Sequence, residues 1–366
     1  MTEHERQSRP AAEIILSASA SQGLVAIPVG EKYQWADTAL RLTAGFERHE
    51  TGIHTLRDIT ALQAVMPEFL RTARRHRAVV TASTRPYIGD YATVLAAGLP
   101  GTWTAKTEVY AHPVWQEDWI PLLWDSGELV QAMEHRRVPF GAVLGNGAGT
   151  ELLLIERPDH AEGHLLGACA TSTFDDSYEN VFAPRSVVLG ASPERAASLV
   201  AGQFLPAYER AVHARLLEAV EAGHAEFEQV RAARSDAHQA ALVRLDGQDV
   251  KDPATLFRLL RPHAAQLLDR TRVSVAPGHP DTAALGRLHA LLNPPGYAAR
   301  SSVLRVPPLL APASADDVRR WHADAPVLLH HARLAMPPAP SAGASPALAA
   351  PLRALPAPPA SPPRGR

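Results

Sequence analysis

Three apolar runs, FGAVLG, TELLLIE and GHLLGACA, follow one another between residues 140 and 170, with only the loops NGAG and RPDHAEG between them. Each run is shorter than a stable helix, and each loop carries residues that accept tight-turn geometry, so the segment predicts a three-stranded antiparallel meander. The unbroken stretch Leu152 to Ile155 sends large apolar groups to both faces of its strand. Such a strand needs cover on both sides, and flanking helices supply it.

The chain before the meander alternates helical and extended signals. Tyr33 to Leu42 reads as a short helix, and ALQAVMPEFLRTARRHR places Leu62, Val65, Met66, Phe69, Leu70 and Ala73 on one helical face. The β-branched run AVVTAS then predicts a strand, and Asp90 is expected to cap a helix over YATVLAAGL by accepting its free amide hydrogens. In TAKTEVYAH polar and apolar residues alternate strictly, which puts Thr104, Lys106, Glu108, Tyr110 and His112 on one face of a half-exposed strand.

From residue 192 the period is helical. Ser192, Pro193 and Glu194 supply an N-cap, a first-turn proline and an early acid, with a kink expected at Pro206. The stripe from Leu205 to Val230 serves equally as an intrachain core or a dimer seam. Asp252-Pro253 and Asp281-Thr282 mark further helix starts, RVPPLL reads as extended, and SADDVRRWH reads as one capped helix. Residues 331–366 hold ten prolines, four arginines and no acid, a composition that denies helix and sheet their donors.

The fold class is therefore α+β: a mixed or antiparallel sheet with flanking helices, then a helical C-terminal part and a disordered Pro/Ala-rich tail. The expected organisation is a disordered N-terminus (1–12), an α+β domain (13–190), a mainly helical domain (191–330) and a disordered basic tail (331–366).

Composition narrows the function classes. A net charge of −2 gives no global attraction to nucleic acid or anionic membrane. No run approaches the roughly 18 apolar residues of a spanning helix. The single cysteine, Cys169, excludes an intrachain disulfide and a Cys-rich zinc module, which favours a reducing, cytoplasmic location.

Candidate sites are modest. GNGAGT (145–150) looks like a phosphate loop, but a strand follows it where a dinucleotide fold needs a helix, so it reads as a hairpin turn. The loop ERPDHAEGH gathers Glu156, Asp159, His160, Glu162 and His164, as solvated turns commonly do, and no metal site is assigned to it. Glu108, Tyr110 and His112 form a candidate acid/base set if their shared face lines a pocket. Trp103, Trp115, Trp119 and Trp124 concentrate four of the six tryptophans and, with Arg85, form a candidate binding region. Arg71, Arg74, Arg75 and Arg77 are candidates for phosphate contact, without a helix-turn-helix or RNA-binding signature beside them. No cofactor signature is present.

The leading expectation is a soluble intracellular interaction or regulatory protein that binds a protein partner through the aromatic-rich α+β region. Two alternatives stand behind it: an enzyme acting on a small or phosphorylated ligand around Glu108, Tyr110 and His112, and a nucleic-acid-associated protein using Arg71 to Arg85.

Overall fold

The computed structural model describes residues 10–171, 182–239, 253–294 and 313–337. Its N-terminal half holds two sheets. In the first, β1 (Glu13–Ser19) and β2 (Gly23–Val29) form a hairpin, β5 (Val79–Ala82) adds in parallel to β1, and β4 (His54–Leu56) and β3 (Glu47–Arg48) follow antiparallel on the far side. Successive side chains of β2 point to opposite faces. Val25, Ile27 and Val29 enter the central core, while Leu24 and Ala26 meet Leu40 of α1 (Tyr33–Arg41) and Phe69 and Ala73 of α2 (Leu62–Arg75).

The second sheet is antiparallel, in the order β11 (Val187–Leu189), β10 (His164–Cys169), β9 (Glu151–Glu156), β8 (Phe140–Gly145), β6 (Thr104–Val109), with β7 (Leu123–Trp124) also paired to β10. The expected meander is β8-β9-β10. Leu152 and Leu154 enter the central core beneath α3 (Ile88–Ala97), whereas Leu153 and Ile155 pack against Leu129 and Met133 of α5 (Glu128–His135). Both faces of β9 are thus covered, as its unbroken apolar run requires.

The C-terminal part is helical: α6 (Pro193–Leu199), a π-helical segment (Val200–Phe204), α7 (Leu205–Gln239), α8 (Pro253–Arg272), α9 (Thr282–Leu292) and α10 (Ala315–Leu334). The Ser192 side chain caps α6 by accepting from Arg195 N–H. Where a kink at Pro206 was expected, the helix widens into the π segment one turn earlier. A proline has no N–H for the carbonyl four residues before it, and the wider turn accommodates that loss. Tyr208, Val212, Leu216, Val220 and Phe227 are buried with Phe257, Leu260 and Trp321 in the central core, so the stripe on α7 is an intrachain core.

Several local expectations change. Asp90 does not cap α3, which begins two residues earlier; its carboxylate accepts from Ser19 Oγ (3.0 Å), Ser21 Oγ (2.7 Å) and Ala20 N–H (2.7 Å) and ties the β1–β2 turn to that helix. The N-terminal order begins before Glu13, because Ala12 is buried and its carbonyl accepts from Val79 N–H. The final helix continues through Leu334 into the segment expected to be tail, since Leu328, Leu329 and Ala332 extend its apolar face beyond SADDVRRWH. RVPPLL and residues 338–366 lie outside the described residues.

Candidate functional site

The surface that stands out joins the two sheets. After β2 the chain turns at Gly30, with φ +112°, and Gly30 N–H donates to Ala111 O at 2.8 Å. A side chain there would place its Cβ 2.4 Å from Ala11 O, so glycine is needed for this close approach. Two residues past Ala111, α4 (Pro113–Glu117) begins, with Pro113 in its first turn and His112 Nδ1 accepting from Val114 N–H at 3.2 Å. The helix has one buried anchor. Gln116 donates to Met133 O (2.8 Å) and Arg136 O (2.6 Å) and accepts from Val138 N–H (2.8 Å) and Arg137 Nη1 (3.1 Å), which uses both ends of its amide.

With Gln116 turned inward, its neighbours face out. Trp115 is 42% exposed and Val114 50%, and Leu122 from the following turn is 39% exposed. Tyr33, the first residue of α1, meets Trp115 with ring centroids 5.1 Å apart at 59°. Beside Tyr33, Lys32 Nζ sits 4.4 Å from the centroid of Trp35, and the Arg77 guanidinium lies 5.9 Å from the same ring. Neither cation pairs with a carboxylate among the described residues. Tyr33 and Trp115 thus make an aromatic ledge, with exposed Val114 next to Trp115 in sequence and Lys32, next to Tyr33, as its cationic margin.

The other tryptophans of the cluster face elsewhere. Trp124 is buried edge-on to Tyr208 with centroids 6.0 Å apart, and Trp119 leans on buried Tyr110 at 6.0 Å. Trp103 borders a cleft of about 490 Å³ between the two halves of the chain, lined by Asn146, Thr150, Leu205 and Glu209 among others. Its indole N–H is spent on Pro100 O at 2.9 Å, Asn146 Oδ1 accepts two amides of its own turn, and Glu209 is ion-paired with Arg270.

Glu108, Tyr110 and His112 take separate duties. Strand β6 ends at Val109, so the alternation does not carry on to the last two. Glu108 pairs with Lys106 at 2.7 Å on the exposed face, and His112 starts α4. Tyr110 is 2% exposed, and its hydroxyl has no hydrogen-bond partner among the described residues. Burial, aided by the nearby Glu108 charge, pushes its ionisation well above the usual phenol range.

Arg85 works as a clamp on the β9–β10 loop. It donates to the carbonyls of Gly163 (3.0 Å), Arg157 (3.1 Å) and His160, and lies 3.7 Å from the Glu156 carboxylate. Burial raises Glu156, and burial with the Arg85 charge brings His164 down to about 4. In the same loop Asp159 pairs with Arg136 at 2.7 Å. Arg71, Arg74, Arg75 and Arg77 are all exposed at or just past the end of α2, and none of the four has a carboxylate partner among the described residues.

Of the residues on this ledge, the sequence singles out Trp115 and not Tyr33, Val114 or Leu122. The available signal was VWQEDWIPLLW, which holds more apolar residues than one face of a short helix can bury. Comparison with family models, with curated proteins and with solved structures finds no match to this chain.

Proposed function

We propose that this chain is an interaction protein that docks a protein partner on the ledge of Tyr33, Val114, Trp115 and Leu122. The observation that carries the reading is the exposure of Val114, Trp115 and Leu122 on a segment held rigid from behind by Gln116. Contiguous exposed apolar groups mark contact surfaces, and tryptophan and tyrosine are the residues that most often dominate their energetics. The margin selects the partner's chemistry. A segment with an apolar anchor for the ledge and an adjacent carboxylate for Lys32 or Arg77 satisfies both parts. A rigid ledge also loses little side-chain entropy on binding, which raises affinity for a given area. The single buried thiol, Cys169, fits a chain working in a reducing, cytoplasmic compartment.

A photo-cross-linking residue in place of Trp115, compared with the same residue in place of exposed Leu259 on α8, tests the reading. A discrete adduct with another polypeptide from position 115 alone is expected. Equal labelling from both positions, or none from 115, overturns it. An adduct with a second copy of this chain would instead make the ledge a dimer seam.

A second reading, a small-ligand site, is favoured by the Trp103 cleft. Its volume falls within the usual range of ligand pockets, and the π-helical segment that borders it is an irregularity often kept at functional sites. It ranks below the ledge because the polar groups named there are already engaged within the protein.

A further inference from the structure

We propose that His279, Asp281 and His331 form a binding site for a divalent transition-metal ion of the zinc class. The three come from two elements far apart in sequence. His279 and Asp281 lie in the turn before α9, and His331 lies in the last turn of α10. One ligand atom from each falls within 4.8 Å of the others. Asp281 Oδ2 is 2.9 Å from His331 Nε2 and 3.6 Å from His279 Nδ1, and the two imidazoles stand perpendicular with centroids 4.9 Å apart.

Two imidazole nitrogens and one carboxylate oxygen match the preferences of zinc and its neighbours, which take nitrogen and oxygen donors at about 2.0–2.2 Å. Tetrahedral ligands at that radius stand roughly 3.3–3.5 Å apart. The two Asp281 separations bracket that figure; His279 Nδ1 accepts from Asp281 N–H at 3.2 Å, and rotation of this exposed ring away from that bond turns its nitrogen to the ion. The fourth position belongs to water, because the cluster supplies three donors.

Two features favour a ligand set over a chance pair. Asp281 occupies the N-cap position of α9, where an aspartate ordinarily accepts the first free amides, yet its side chain makes no capping bond and turns to His331 instead. His331 is nearly buried, so the carboxylate and one imidazole are pre-positioned and only His279 has to move. A bound ion would clip the start of α9 to the end of α10 and stabilise the helical half. The turn is solvent-accessible through His279, which provides the entry path.

The test is a titration of the full chain with zinc chloride, followed by calorimetry and thermal unfolding, with cobalt(II) absorption as a spectroscopic check. The chain has 17 histidines, so variants rather than binding alone decide the matter. The wild type is expected to bind one ion per chain and to unfold at a higher temperature with zinc, and cobalt(II) should give the visible bands of a low-coordinate nitrogen–oxygen site. His279→Ala removes an exposed ligand and should fold as the wild type does without metal, while binding zinc at least tenfold more weakly and losing the thermal shift. Asp281→Asn should weaken binding similarly. Equal zinc affinity and stoichiometry in the wild type and His279→Ala, or no zinc binding by the wild type, overturns the site and leaves His331–Asp281 a simple helix-to-turn hydrogen bond.

Discussion

The imidazole of His164 lies almost face to face with the phenol of Tyr91, their centroids 3.9 Å apart and their planes 28° from parallel. Stacking in a buried setting holds the ring away from water, and Arg85 adds a like charge, so His164 protonates only near pH 4. The folded pKa lies below the unfolded one. Between about pH 6.5 and 4 the unfolded chain binds the extra proton, and stability falls as the pH drops through that window. The full loss is on the order of 3 kcal/mol. His164→Phe keeps the stack and removes the proton site, so its unfolding free energy should vary less between pH 7 and 4 than that of the wild type. Urea denaturation at the two pH values measures the difference; equal slopes would show that His164 titrates normally.

Arg77 closes helix α2 in the left-handed region, with φ +55°, while Ala78 N–H reaches back to Ala73 O at 2.9 Å. That closure favours glycine, because a Cβ costs about 1–2 kcal/mol there. Arg77→Gly is therefore expected to stabilise the fold by about 1 kcal/mol, reduced somewhat by the lost contact with Trp35. Chemical denaturation gives the answer directly. A destabilised variant would mean that the Trp35 contact outweighs the backbone strain.

Asp125 is fully buried and accepts from Ser186 N–H at 2.6 Å and Val130 N–H at 3.0 Å, pinning the chain before β11 to the start of α5. Charge-assisted bonds of this kind contribute about 1.5–3 kcal/mol each, and truncation leaves two amides unpaired. Asp125→Ala should cost about 3 kcal/mol or more. Asp125→Asn should also destabilise, because its amide would present a donor to one of the two N–H groups. A thermal midpoint unchanged in both variants would contradict this role.

The buried Tyr110 hydroxyl, without a partner among the described residues, predicts the opposite kind of result. Tyr110→Phe should leave stability unchanged or raise it by up to about 1 kcal/mol, since an unmet hydroxyl is costly to desolvate. A clear loss of stability would show that the hydroxyl has a partner and would return it to consideration as a functional group.

What the sequence made legible follows the range of the interactions involved. The β8-β9-β10 meander could be read because its signals are local: short apolar runs, turn chemistry and the double-sided burial of Leu152 to Ile155. The start of α6 was equally readable from Ser192 and Pro193. The β1–β2 hairpin has only a weak local signal, EIILSAS and GLVAIPV flanking a short turn, and its tie to Asp90 spans 71 residues, beyond any local pattern. The same limit governs the sites. Trp115 stood out by residue type, but its contact with Tyr33 and its anchor through Gln116 depend on the fold. His279 and His331 were hidden by their separation among scattered histidines. Tyr110 and His112 were placed on one strand face because the alternation continues in sequence, whereas the strand itself stops at Val109.

Docking of a protein partner on the Tyr33–Trp115 ledge, as proposed above, has a quantitative test. That test is the dissociation constant of the partner captured at position 115, titrated as a purified protein against the wild type, Trp115→Ala and Trp103→Ala. Truncating a central tryptophan typically costs about 2 kcal/mol or more, so affinity should weaken roughly thirtyfold in Trp115→Ala and stay unchanged in Trp103→Ala. Equal affinity of the wild type and Trp115→Ala, or a loss confined to Trp103→Ala, would mean that the partner does not dock on the ledge.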